Sequence, residues 1–291
     1  MRRQRHERFA VSGFLDDMAR SSALRVTQAK AMESLDALER RAKTAPRSAP
    51  LRLSNAGFDV IAELKLKSPA AGRLGEQSDD WLKRVEDYAR GGAAAVSVLT
   101  EPSRFDGSLE HLRQASRALA PFGVPAMRKD FLVDPYQVVE ARAAGAGGVL
   151  VIVRMLSPAQ MTPLLDAAAE YGMFVLLEAF DAADLAAARE LLALRVSDRA
   201  APAPADNILV GVNCRDLQTL EVVPERFAAL APQLPGNRPA VAESGVASAA
   251  DARHMMRLGY RLALIGTALM RHDDPAQWLR EILATTRTVE S

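Results

Sequence analysis

The chain has 291 residues, 49% of them hydrophobic, with 37 basic against 36 acidic side chains; this length and balance allow a large buried core and exclude a disordered chain. A near-neutral charge lacks the basic surplus that broad nucleic-acid or membrane-surface binding needs, so the expected partner is a small molecule, with no nucleic acid and no membrane. The single cysteine, Cys214, forms no internal disulfide, no run approaches the ~18 apolar residues of a membrane span, and the basic N-terminus lacks the apolar core of a secretory signal, which together predict a cytoplasmic protein.

Residues 13–42 place Met18, Met32, Leu35 and Leu38 among Ala, Glu, Arg and Lys at the i, i+3 recurrence of an amphipathic helix packed on something else. Residues 45–50, rich in Pro and Ser, end it. From Phe58 onward one rhythm repeats: a short apolar run, a loop with charge or Gly, then a helical stretch. The apolar runs fall at 60–65, 95–99, 124–127, 149–153, 174–178, 208–213, 240–243 and 262–266. Helical patterns lie between them at 81–90, 109–119, 135–144, 158–171, 182–194, 249–258 and 275–286, with 225–230 the least marked. Strands alternating with helices pair in parallel, and eight such units predict a (β/α)8 TIM barrel of the usual ~250 residues. No Gly-x-Gly-x-x-Gly follows the first strand, so an open doubly wound sheet has no support. The expected organisation is a single (β/α)8 barrel domain over 1–291, of which 1–50 is an N-terminal helical extension. The Pro/Ala-rich connection 195–206 joins a helix to a strand, and such loops sit on the face opposite the chemistry.

Charges gather where the strands stop. Side chains alternate along a strand, so Glu63 and Lys65 share a face, as do Asn213 and Arg215, while Cys214 points toward the helix layer. Lys129 follows the third run and Glu178 ends the fifth. Any one of these taken alone reads as a solvated loop charge, but together, at one end of successive strands, they make a site. The seventh and eighth strands end in Glu243-Ser244-Gly245 and Gly266-Thr267, and loops at these two places cradle phosphate in this fold through close backbone N–H groups. Phe105, Phe131, Leu150, Leu217 and Leu220 lie at or just beyond the same strand ends and wall a flat pocket. None of the four histidines, His6, His111, His254 and His272, falls at a strand end, which disfavours a metal triad or histidine acid–base chemistry.

Glu63-Leu-Lys65 with Lys67-Ser68-Pro69, Ser97 to Glu101 with Phe105 to Ser108, Arg128-Lys-Asp-Phe131, Leu177-Glu178, Gly211 to Leu217, Ala242 to Gly245 and Ile265 to Arg271 together resemble the indole-3-glycerol phosphate synthase family, one motif per strand and in order. The resemblance implies ring closure of 1-(2-carboxyphenylamino)-1-deoxyribulose 5-phosphate to indole-3-glycerol phosphate, with loss of carbon dioxide and water, in tryptophan biosynthesis. It implies Lys129 as general acid on the ribulose carbonyl, Glu178 as the acid–base carboxylate of dehydration, and Lys65 and Glu63 assisting, with Lys65 also near the phosphate. Asn213 and Arg215 would hold substrate oxygens, Ser244, Gly245, Gly266 and Thr267 the phosphate, and Glu243 would line the site. The aromatic ring would lie among Pro69, Phe105, Phe131, Leu150, Leu217 and Leu220, with Ser97 facing it. No cofactor and no metal are implied. The partner is one small phosphorylated substrate, and the chain is expected to be a monomer or weak homo-oligomer, open to association with other tryptophan-pathway enzymes.

A lysine near its ordinary value of ~10.4 is a poor acid at neutral pH, so crowding by Lys65 and Arg215, with partial burial, is expected to lower Lys129. The chain departs from the family at Leu66, Ala70 and Ala71, where basic or hydroxyl residues are usual, at Ala179-Phe180, where Val-His is common, and at Gly147, which replaces an Asp. These departures predict activity weaker than typical. The rival readings are a related phosphosugar isomerase, which would lack the Lys129, Glu178 and Asn213/Arg215 set, and a specialised or weakly active paralogue that binds a phosphorylated aromatic ligand.

Overall fold

Strands buried on both faces must close into a barrel or be sandwiched by helices, and here they close. A computed structural model describes residues 13–68, 72–73, 81–197, 207–217 and 219–287. Its strands are β1 (Asp59–Leu64), β2 (Ala95–Leu99), β3 (Ala126–Lys129), β4 (Gly148–Ile152), β5 (Phe174–Ala179), β6 (Ile208–Asn213), β7 (Ala240–Glu243) and β8 (Leu262–Ile265). All pair in parallel with their sequence neighbours, and β1 pairs β8 to complete a closed barrel. The expected (β/α)8 architecture is therefore present. Residues 67–68 and 72–73 form a small antiparallel hairpin after β1 that the apolar pattern did not mark. The core has two layers. Ile61, Met127, Leu150, Phe174, Leu176, Leu209 and Leu264 fill the barrel interior. The alternate side chains, Val60, Val98, Val149, Val175, Val210 and Cys214 among them, pack outward under the helices, as alternation required of Cys214.

Two details differ from the sequence reading. The third strand begins at Ala126 and not at 124, because Pro125 has no N–H to enter the ladder, and so Lys129 is the last strand residue. The leading helix is two helices, α1 (Gly13–Met32) and α2 (Leu35–Thr44), restarted at Ser34, whose side chain accepts from the Ala37 N–H at 3.3 Å. The break resets the helical phase. Met18 and Leu38 are buried as expected, but Met32 and Leu35 are exposed at 90% and 44%. The connection at 198–206 lies outside the described residues.

The extension is fastened to the end of the barrel where the strands finish. Leu15, Met18, Ser22 and Val26 form the buried stripe of α1, and Leu38 and Ala42 of α2 pack on Tyr136 and Val139 of the helix Pro135–Ala143. Arg25 grips Asp130, directly after Lys129, with two hydrogen bonds of 2.8 and 2.9 Å. Asp130 is fully buried and also accepts from Thr100 Oγ1 at 2.8 Å, the Phe131 N–H at 2.8 Å and Arg128 Nη2 at 3.1 Å. Burial alone would raise its carboxyl, but the hydrogen bonds from Arg25 and the Arg128 charge hold it far below the ordinary carboxylate range. The stabilisation is therefore complete above the unfolded value of about 3.9 and is lost as pH falls through the lower folded value. Asp130→Asn should cost about 3 kcal/mol in denaturant titrations at neutral pH, and the gap to wild type should narrow below about pH 4.

Candidate active site

The carboxyl ends of the strands open into a cavity of about 400 Å3. Glu63 at the end of β1, Lys65 just beyond it, Lys129 ending β3, Glu178 near the end of β5, Asn213 ending β6, Arg215 and Glu243 all line it. The charges are paired at short range. Glu63 takes Lys65 Nζ at 2.9 Å on one oxygen and Lys129 Nζ at 3.6 Å on the other. Asn213 Nδ2 donates to Glu178 Oε1 at 2.7 Å, and Asn213 Oδ1 accepts from Ser244 Oγ and the Arg215 N–H, both at 3.0 Å. Asn213 is thus a fixed orienter of Glu178, its amide already engaged on both sides. The Arg215 guanidinium lies on the wall and donates to the Leu220 carbonyl at 2.6 Å, which fixes its own loop.

Electrostatics corrects one expectation. Burial alone would depress Lys129, but Glu63, then Glu178 and Glu243, outweigh it and push the ammonium well above its ordinary value. The carboxylates around Lys129 outweigh the cations counted in the sequence. Glu63 responds in the complementary way: burial raises it, and the Lys65 and Lys129 charges overcome that and hold it below the usual range. Glu243 goes the other way. Burial, reinforced by the Glu178 charge and only partly offset by Lys129, raises its carboxyl well above the usual range. Neither of its side-chain oxygens meets a hydrogen-bond donor among the described residues. As a carboxylate it would lack a hydrogen-bond donor; as the neutral acid it can donate to Glu178.

Two glycines make room for these groups. A Cβ at Gly211, beside Glu178 in the ladder, would stand 2.1 Å from Glu243 Oε1, and one at Gly266 would stand 2.5 Å from Glu63 Oε1. Directly after β7, Ser244 and Gly245 take consecutive left-handed conformations, φ 68° and 72°. Gly266 precedes the short helix Thr267–Arg271, and because β7 pairs β8, Ser244, Gly245, Gly266 and Thr267 are neighbours in the cavity lining. Phe105, Phe131, Leu150, Leu217 and Leu220 form an apolar part of the same lining. Ser97 is fully buried, in register with Glu63 and Met127, and is not on the cavity wall. Pro69, with Ala70 and Ala71, lies outside the described residues.

Several wall residues escaped the sequence reading. Phe14 and Leu15 of α1 roof the pocket, Phe14 meeting Phe131 edge-on at 5.9 Å. Only tertiary docking brings them there. Ile152 and Phe180 were legible in principle, since each continues the inward face of its strand from Leu150 and Glu178 by the period of two.

A family model described as "Indole-3-glycerol phosphate synthase" matches residues 15–282. The chain belongs to this family. Similar curated relatives bear the same name: that of Nocardioides sp. is 40% identical over 272 residues, covering 92% of this chain and 97% of its own length. That of Koribacter versatilis is 37% identical over 273 residues, covering 94% and 98%, and that of Bordetella pertussis 40% over 233 residues, covering 80% and 82%. Among solved structures, thiamine phosphate pyrophosphorylase from Pyrococcus furiosus resembles the chain at a TM-score of 0.55 and 14% identity, covering 81% of this chain and 98% of its own; that likeness concerns the fold alone. Membership makes the chain a carboxy-lyase of tryptophan biosynthesis, an indole-3-glycerol phosphate synthase by activity.

The steric constraint at Gly211 is testable. Gly211→Ala should fold, at a cost of about 1–3 kcal/mol for overpacking, because the obstructing atom is the tip of a side chain. The displaced Glu243 carboxyl should lower kcat/KM on the order of 100-fold, the scale of an ångström's misplacement in an active site. A thermal melt run beside steady-state kinetics reads both.

Proposed function

We propose that Lys129 and Glu178 carry the ring closure of 1-(2-carboxyphenylamino)-1-deoxyribulose 5-phosphate to indole-3-glycerol phosphate, with the other strand-end residues binding and orienting that substrate. The observation that supports this reading most directly is that one cavity is lined by a left-handed backbone turn and a helix start, by aromatic and aliphatic side chains, and by the charged cluster. A molecule with a phosphate at one end, an aryl ring at the other and a reactive carbonyl between suits that layout.

The chemistry follows from the charges. As the aromatic carbon attacks the ribulose carbonyl, its oxygen becomes an alkoxide, and Lys129 donates the proton. An alkoxide is a far stronger base than an amine, so the transfer runs downhill even from a lysine that holds its proton tightly. Glu63 keeps that ammonium charged and in place, and Lys65, sharing the same carboxylate, adds positive charge toward the phosphate. Carbon dioxide leaves as the ring regains aromaticity. The remaining hydroxyl departs as water, with Glu178, held by Asn213, exchanging the protons of that step. Glu243, in its neutral form, offers a hydrogen-bond donor to the same region. Ser244, Gly245, Gly266 and Thr267 take the phosphate, Arg215 lies beside the substrate oxygens, and Phe105, Phe131, Leu150, Leu217 and Leu220 flank the ring. The protein acts in the cytoplasm as a monomer or weak homo-oligomer on this reading. No helix among the described residues is long and apolar enough to cross a membrane.

Lys129→Ala should lose ring closure by about 1000-fold or more while substrate still binds, measured by indole fluorescence and by equilibrium titration; wild-type turnover in that variant would remove Lys129 from the mechanism. Because neighbouring carboxylates raise Lys129, its deprotonation should not shape the kcat profile up to about pH 9.5. Glu63→Gln deletes the first of those charges, so an alkaline loss of kcat should appear at lower pH than in wild type. An unchanged profile in a folded, active Glu63→Gln enzyme would separate Glu63 from Lys129.

A further inference from the structure

We propose that Phe180 is a specificity-determining residue: its ring closes the aryl end of the cavity and sets which ring-substituted substrates the enzyme accepts. The inference rests on the placement of the substrate ring against the apolar wall given above. Phe180 is 4% exposed and belongs to the same apolar cluster as Phe131, Leu150 and Ile152. Behind it, on the outside of the barrel mouth, lies a second groove of about 330 Å3 whose lining includes Arg154, Asp181, Asp216 and Arg226. Phe180, Leu217 and Arg215 line both spaces, so they form the partition between them. Among the three, Phe180 supplies the aromatic face.

The partition is held from the outer side. The Arg154 guanidinium stacks 4.6 Å from the Phe180 ring centroid, and is itself fixed by Asp184 Oδ2 at 2.8 Å and Asp181 Oδ2 at 2.6 Å. Asp184 Oδ2 also accepts the Phe180 backbone N–H at 2.8 Å, so one carboxylate anchors both the ring's own backbone and the cation stacked on it. A ring fixed in this way does not step aside for a larger ligand, and it excludes a substituent by volume. Truncating it joins the cavity to the groove behind.

The test is kcat/KM of the full-length enzyme for the unsubstituted substrate and for a series with a methyl group at each open position of the aryl ring. In Phe180→Ala the ratio of substituted to unsubstituted kcat/KM should rise about tenfold or more at one position, with a smaller rise in the same direction for Phe180→Leu. If every ratio in both variants stays within about twofold of wild type while Leu150→Ala shifts them, the aryl ring is where we place it and Phe180 does not define its space. If Leu150→Ala also leaves every ratio unchanged, the ring placement itself is wrong and the proposal falls with it. Should Phe180→Ala not fold, Phe180→Leu, which keeps an apolar side chain at the position, decides by the same ratios.

Discussion

The Glu63 carboxylate, shared between the ammonium groups of Lys65 and Lys129, is the interaction on which the site depends. Ionised groups removed from water are costly unless each meets an opposite charge, and removing one partner strands the others. The three groups therefore hold one another in the charged state. Glu63 stays ionised because of the lysines, and Lys129 stays protonated because of Glu63 and Glu178. Glu243, beside Glu178 and without a donor of its own, is pushed toward the neutral acid instead. Carboxyls in one cavity thus reach different protonation states through burial and the charges beside them, which is how one site can hold both proton donors and bases at a single pH.

That arrangement needs space as well as charge. Gly266 and Gly211 stand where any side chain would collide with Glu63 or Glu243, so two absent Cβ atoms are as much a part of the site as the carboxylates. Register supplies the rest. Parallel pairing sets Asn213 opposite Glu243 and Glu178 opposite Gly211, which brings groups far apart in the chain within hydrogen-bonding reach.

Stability and function meet at the turn after β3. Lys129 faces the cavity, while its neighbours Arg128 and Asp130 enter a buried network with Thr100, Glu140 and Arg25. The grip of Arg25 on Asp130 draws α1 over the barrel mouth and lays Phe14 and Leu15 into the pocket wall. The extension is thus a structural wall of the site, fastened one residue from the proposed acid.

Much of this was readable from the residues in order. Eight apolar runs alternating with amphipathic segments bury both strand faces in a parallel sheet covered by helices, and closure of that sheet into a barrel places every strand end, with Lys129, Glu178 and Asn213, on one rim. Short-range periodicity also sent Cys214 outward. Other features depended on distances between segments that sequence does not contain. The Lys129 shift went opposite to expectation because it depends on which charges lie nearest in space, and counting cations along the chain could not weigh them against carboxylates from three other strands. The break at Ser34, which turned Met32 and Leu35 outward, and the docking of α1 through Arg25 were decided by packing against the helix Pro135–Ala143 and the β3 turn. The sequence by itself determined the strand and helix order and the chemical character of the rim, because periodicity and residue type are local properties. Only the tertiary structure decided the protonation balance, the roof over the pocket and the Phe180 partition, because those arise from contacts whose energies depend on separation and burial.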